Sequence, residues 1–163
     1  MTYMWPSYHS LTELDNLGQQ YELYLYKEGR QSLSNSRDAL AFASGPPVLF
    51  LHGSDGSYKQ VRSLASETAR PSEASGKPAL AWFAADFKEE MSAFDGAILE
   101  RQTIFVVDCV KWLRQHYRQT YAADMPVVLV GHSMGGLVAR AAAIALASEA
   151  GSSQYFLSLP HHL

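Results

Sequence analysis

Three short apolar runs punctuate the chain. Pro47-Val48-Leu49-Phe50-Leu51, Leu80-Ala81-Trp82-Phe83-Ala84-Ala85 (closing at Asp86) and Pro126-Val127-Val128-Leu129-Val130 carry no polar alternation, the pattern of strands buried on both faces. Tyr21 to Tyr26 alternates with period two and predicts an earlier, half-buried strand. Between the runs the period lengthens. Tyr58 to Ala69 places Val61, Leu64 and Ala65 on one helical face, with Pro71 ending the helix. Ile98 to Tyr117 is the best amphipathic helix, with Ile98, Phe105, Val106, Cys109, Val110, Leu113 and Tyr117 at three- and four-residue spacing. Leu137 to Ala150 predicts an alanine-rich helix stopped by Gly151. Residues 1–18 are polar and aromatic, and Trp5-Pro6 argues against early helix. Residues 29–45 read as a loop or hairpin connection and residues 71–78 as a loop, while Tyr155-Phe156-Leu157 begins a further strand. Strand alternating with helix implies an α/β fold, a mainly parallel sheet with flanking helices and right-handed crossovers. Such a sheet gathers its loops, and its chemistry, at the carboxyl ends of the strands.

Composition narrows the classes. The chain has 163 residues, one domain's worth, with 47% hydrophobic and 18% charged residues, enough to bury a core. The net charge is −3 and the 13 Lys and Arg residues are scattered, so neither a nucleic-acid footprint nor a polybasic membrane patch is expected. Residues 1–10 show no secretory signal pattern. The apolar run Ala141 to Ala147 falls far short of the roughly 20 residues of a bilayer span. A single cysteine, Cys109, excludes an internal disulfide and sits on an apolar helix face, where core packing is expected. No His, Cys, Asp or Glu cluster has metal-ligand spacing, and there is no dinucleotide fingerprint or P-loop. No metal or cofactor is expected.

The strongest chemical signal follows the third run: Gly131-His132-Ser133-Met134-Gly135-Gly136. Gly-x-Ser-x-Gly alone is common, but here a strand precedes it and a helix follows, the context of a nucleophile elbow. Ser133 must occupy a sharp, strained turn for its hydroxyl to project. Gly131 and Gly135, two residues either side, avoid collision with neighbouring elements, and Gly136 is expected to let the helix pack close to the sheet. His132 should point away and pack under the elbow. The Met134 amide, at the helix N-terminus, is one candidate oxyanion donor. A second is expected after an earlier central strand, where His52-Gly53-Ser54 follows Leu51. There Gly53 permits close approach and the Ser54 amide can donate; which amide does so is open. A tight turn with a serine cap does not call for the flanking glycines; at 52–54 an ordinary strand-to-helix turn competes, and the Ser133 motif favours the donor role over it.

The partners of Ser133 are harder to find. The order in such hydrolases is serine, acid, histidine. After Ser133 come only Glu149, on the helix leaving the elbow, and His161 and His162 near the C-terminus, where little orients a base. Asp86 and Asp95 follow a strand, and read as solvated loop carboxylates or helix caps.

Three stretches together resemble the GPI inositol-deacylase family of serine α/β-hydrolases: Met1 to Tyr8, Tyr24 to Gly29, and Gly56-Ser57-Tyr58-Lys59-Gln60-Val61-Arg62-Ser63. Asp86 to Phe94 and the elbow fit in the same order. The chain departs from the family where His52-Gly53-Ser54-Asp55 replaces its usual Pro-Gly-Asn, and where Asp95 stands for a histidine. The resemblance implies that residues 1–163 are the nucleophile half of an incomplete α/β-hydrolase domain, with acid and base beyond the C-terminus and little activity alone. It implies removal of the acyl chain from the inositol of GPI anchors, GPI-anchored proteins or another lipid acyl ester as partner, and an endoplasmic-reticulum membrane location. The alternatives are another serine lipase, esterase or acyltransferase, or a non-catalytic product that only binds.

Overall fold

A computed structural model describes residues 5–11, 20–29, 35–41, 43–76, 78–90 and 95–150, with backbone alone for 70–75 and 150. Five strands, β1 (Pro6–Ser10), β2 (Glu22–Glu28), β3 (Pro47–Leu51), β4 (Ala81–Asp86) and β5 (Val128–Gly131), form one sheet in the order β1-β2-β4-β3-β5. β2 pairs antiparallel with both β1 and β4, whereas β3 pairs parallel with β4 and β5. Four strands therefore run one way and β2 alone runs against them.

The apolar runs are strands because both of their faces are covered. Every residue of β3 and β4 is buried. On one face Leu49, Leu51, Phe83 and Ala85 pack with Leu23 and Leu25 of β2. Helices α3 (Gly96–Tyr121) and α4 (Met134–Ala150) cover them through Phe105, Cys109, Leu113, Val138 and Ala142. On the other face Val48, Phe50, Trp82 and Ala84 meet Val61 and Ala65 of α2 (Val61–Ser75). Each fully buried Leu, Val or Phe contributes about 1.5–3 kcal/mol.

Register then fixes where the loops emerge. Leu51 lies opposite both Ala85 and Gly131, so β3, β4 and β5 end together and release residues 52–57, 87–90 and 132–133 at one edge of the sheet.

Several elements differ from expectation. β1 is a strand although it opens on Pro6; a proline is tolerated at the first residue of an edge strand, and its five residues are all half-buried, so no alternation marks it. Within the expected loop 29–45 lies a short helix, α1 (Ser36–Ala41), whose Asp38 amide is capped by Asn35 Oδ1 at 2.8 Å. Six residues are too few to show a period. α2 follows a 3₁₀ turn at Tyr58–Gln60 and runs through Pro71 to Ser75, into residues expected to be loop. A proline removes one helical donor, but Gly76, at φ 66, is what ends the helix. α3 begins at Gly96 because Asp95 Oδ1 accepts from the Ala97 amide at 2.8 Å. α4 begins at Met134, one turn before Leu137. Gly151 and Tyr155-Phe156-Leu157 lie outside the described residues, and among those described no helix is long and apolar enough to cross a membrane.

One buried side chain ties the layers together. The Tyr117 hydroxyl, deep on α3, bonds to the carbonyls of Ala43 (2.6 Å) and Gly45 (2.8 Å) just before β3. Tyr117→Phe leaves these buried acceptors short of a donor and is expected to cost about 1–3 kcal/mol in urea unfolding. A loss below measurement error would contradict that role.

Candidate active site

The turn from β5 to α4 takes two residues. The His132 amide donates to the Leu51 carbonyl at 3.0 Å, carrying the β3–β5 pairing one step past the strand. Helical bonding starts at once: Gly135 N–H donates to His132 O at 3.0 Å, and Gly136 N–H to Ser133 O at 2.9 Å. Between them Ser133 takes φ 55, a left-handed conformation costing an L-residue about 1–2 kcal/mol. Its side chain is exposed.

The flanking glycines explain how so tight a turn closes. A Cβ at Gly131 would lie 2.5 Å from the Gly135 carbonyl oxygen, and one at Gly135 only 2.2 Å from the Leu51 carbonyl oxygen. Gly136 is different. A Cβ there meets nothing nearer than the Gly131 oxygen at 3.8 Å, so the close packing expected of Gly136 belongs to Gly131 and Gly135. His132 is also corrected: it is exposed rather than packed beneath the elbow. It lies in the turn just past β5, the last strand of the described sheet.

The loop after β3 comes to the same place. A Cβ on Gly53 would stand 2.9 Å from Ser133 Cβ and 3.3 Å from Ser133 Oγ, so the Gly53 backbone borders the serine directly. The Gly53 carbonyl faces elsewhere, accepting from the Gly56 amide at 3.0 Å and bonding to His52 Nδ1 at 2.8 Å. Ser54 Oγ is buried without a hydrogen-bond partner. Among the described residues the amides of Ser54 and Met134 donate to no backbone carbonyl. Buried polar groups are normally satisfied, and the Ser54 hydroxyl at this edge is an exception.

Sequence reasoning missed His52 as an individual residue. It is 1% exposed, packs on Phe87 with ring centroids 5.0 Å apart, and its Nε2 accepts from the Phe87 amide at 3.0 Å. That bond assigns the ring proton to Nδ1. The signal was a histidine directly after a fully buried strand, but nothing in the sequence pairs it with residue 87. Burial depresses its pKa, against the opposing pull of the Gly53 carbonyl and the carboxylates of Asp86 (Oδ1 3.9 Å away) and Glu89. A depressed folded-state value means that the unfolded chain binds the proton first. His52 therefore supports folding above the ordinary histidine pKa, and that support is lost as pH falls below about 6.5. Stability in urea should fall through this window more steeply in the native chain than in His52→Asn. Parallel profiles would contradict this.

The remaining candidates are accounted for structurally. Asp86 is no solvated carboxylate: it is buried, accepts from the Lys88 amide at 3.0 Å and pairs with Lys88 Nζ at 3.4 Å. Asp95 caps α3. Glu149 pairs with Lys111 Nζ at 2.6 Å. Cys109 is fully buried, and burial pushes its thiol pKa up. Among the described residues no group of His, Cys, Asp and Glu is arranged to hold a metal ion. None of the four described histidines, His9, His52, His116 and His132, bonds to Ser133. His161 and His162 lie outside the described residues.

Residues 42–162 match the PGAP1-like alpha/beta domain. The chain belongs to this family. It is 39% identical over 175 residues to a GPI inositol-deacylase of Cryptococcus neoformans, the match covering 100% of the chain and 22% of that protein. It is 43% identical over 147 residues to the GPI inositol-deacylase of Xenopus laevis, covering 86% of the chain and 16% of that protein. This PGAP1-like chain thus spans about one fifth of the length of the curated relatives it matches. Among solved structures it resembles a dienelactone hydrolase from Anabaena variabilis (TM-score 0.54, 22% identity, 96% of this chain and 63% of that one). It also resembles the siderophore hydrolase EstB of Aspergillus fumigatus (TM-score 0.51, 17% identity, 86% and 36%). The fold of the PGAP1-like chain is that of the α/β hydrolases.

Proposed function

We propose that this chain is the nucleophile-bearing part of an α/β-hydrolase domain that removes the acyl chain from the inositol of GPI anchors. The observation that carries the reading is Ser133 at positive φ on the strand-to-helix turn, with the Gly53 backbone against its hydroxyl. Family membership supports this substrate class.

Ser133 Oγ attacks the acyl carbonyl carbon, and its proton passes to a base supplied from outside the described residues. The carbonyl oxygen gathers negative charge in the tetrahedral intermediate. The amides of Met134 and Ser54 hold that charge, and each such donor is worth about 2.7–4 kcal/mol in the transition state. Collapse breaks the ester C–O bond. The inositol oxygen leaves with the proton, and the acyl chain stays on Ser133 until water releases it. The substrate belongs to GPI-anchored proteins in the endoplasmic-reticulum membrane, so the natural gene product should co-fractionate with that membrane.

The test uses the gene product purified from its own cells and a GPI carrying an acylated inositol. Mass spectrometry should show loss of the acyl chain as free fatty acid, with the glycan and phosphate unchanged. Turnover of a short nitrophenyl ester with no action on acyl-inositol would instead assign the chain to another esterase class. Ester hydrolysis by the 163 residues alone, abolished in Ser133→Ala, would place the base within them.

A further inference from the structure

We propose that His52 is a positioning residue for the oxyanion donor, its Nδ1–H pinning the Gly53 carbonyl so that the Ser54 amide is held toward Ser133. The inference rests on the hydrolase reading above.

It begins with a conflict at residue 53. Only glycine fits there, since a Cβ would strike the Ser133 Cβ at 2.9 Å. Glycine is also the residue whose backbone wanders most freely. A catalytic amide must be aimed before charge develops, because reorganisation during the reaction forfeits its advantage. Something other than the residue's own sterics must hold the peptide.

The Gly53–Ser54 peptide is held through its other end. A trans peptide is planar, with carbonyl and amide pointing opposite ways, and no cis bond occurs among the described residues. Fixing the Gly53 oxygen therefore fixes the direction of the Ser54 N–H. Two donors converge on that oxygen, Gly56 N–H at 3.0 Å and His52 Nδ1–H at 2.8 Å. The three groups are contiguous: a Cβ at Gly56 would lie 2.9 Å from the Gly53 oxygen and 3.1 Å from His52 Nδ1.

The imidazole is itself held on several sides. It is closed off from solvent, rests on Phe87, and has Nε2 occupied by the Phe87 amide. Phe87 leads into Lys88 and Glu89, both left-handed at φ 53 and 58, so the ring braces the loop after β3 against a turn of unusual shape after β4. Both nitrogens are engaged away from Ser133, which excludes His52 as the base and leaves it to act through Ser54.

The test compares kcat and KM for ester hydrolysis by the natural gene product and its His52→Leu, His52→Asn and Ser133→Ala variants. A mis-set amide costs rate rather than affinity, so His52→Leu should lower kcat by up to about 10²-fold with KM little changed. Asparagine puts an N–H donor close to the Nδ1 position, so His52→Asn should recover most of the loss. Full kcat in His52→Leu, or a His52→Asn variant as slow as His52→Leu, overturns the proposal. If the leucine variant does not fold, nitrogen-15 NMR of the native protein decides. A proton on Nδ1 of His52 supports the proposal; a proton on Nε2 overturns it. Turnover surviving in Ser133→Ala would defeat the hydrolase reading itself, a distinct outcome.

Discussion

Ser133→Ala is expected to lower kcat for acyl-inositol hydrolysis by roughly 10⁶-fold, the scale of nucleophile removal in serine hydrolases. The rest of the site survives the change, since Ser133 Oγ makes no hydrogen bond among the described residues and its side chain is exposed. The substitution also separates chemistry from strain. Alanine at φ 55 is strained just as serine is, so folding stability should barely move. Ser133→Gly should be equally inactive yet more stable than Ser133→Ala, by about 1 kcal/mol, because glycine takes the left-handed conformation freely. Kinetics and urea denaturation on the same three proteins check both parts. Equal stability of the glycine and alanine variants would show that the bend carries no strain.

Gly135→Ala should be strongly damaging, and Gly136→Ala, one residue on, close to harmless. At 135 the added methyl would sit 2.2 Å from the Leu51 carbonyl oxygen and 2.7 Å from that of His52. Both obstacles are backbone, so no side chain can rotate away, and the elbow must lift from β3. Overpacking of this kind costs about 1–3 kcal/mol or more. Ester hydrolysis should fall too, because the displaced segment leads into Gly53. At 136 the methyl meets only ordinary contact, and alanine gains helix propensity of up to about 1 kcal/mol over glycine. Urea midpoints should therefore fall for the first variant and hold or rise for the second. Equal effects would mean that α4 does not approach β3 as described.

What could be read from the sequence follows from how local each signal is. β3 and β4 were legible because burial on both faces leaves no polar residue to interrupt Val48 to Leu51 or Ala81 to Ala85. The elbow was legible because three constraints, strand, paired glycines and helix, fall within ten residues. Its detail was not. Gly135 and Gly136 are alike in sequence, and only the position of Leu51 and His52 shows that one is hemmed in and the other is not. β1 and α1 escaped because five or six residues carry no period. α2 passed Pro71 because a single missing donor weighs less than a continuing helix with a left-handed glycine at its end. His52 escaped for a different reason: its role depends on Gly53, Gly56 and Phe87, and the last of these is set by the β3–β4 pairing.

The central claim is that the hydroxyl of Ser133 is the attacking group, and a fluorophosphonate reports it directly, since phosphonylation requires an activated hydroxyl. The gene product from its own cells should take up one phosphonyl group. Peptide mass mapping should place it on Ser133, and Ser133→Ala should remove it. An adduct on any other serine, or none on Ser133 in protein that hydrolyses acyl-inositol, would contradict the account.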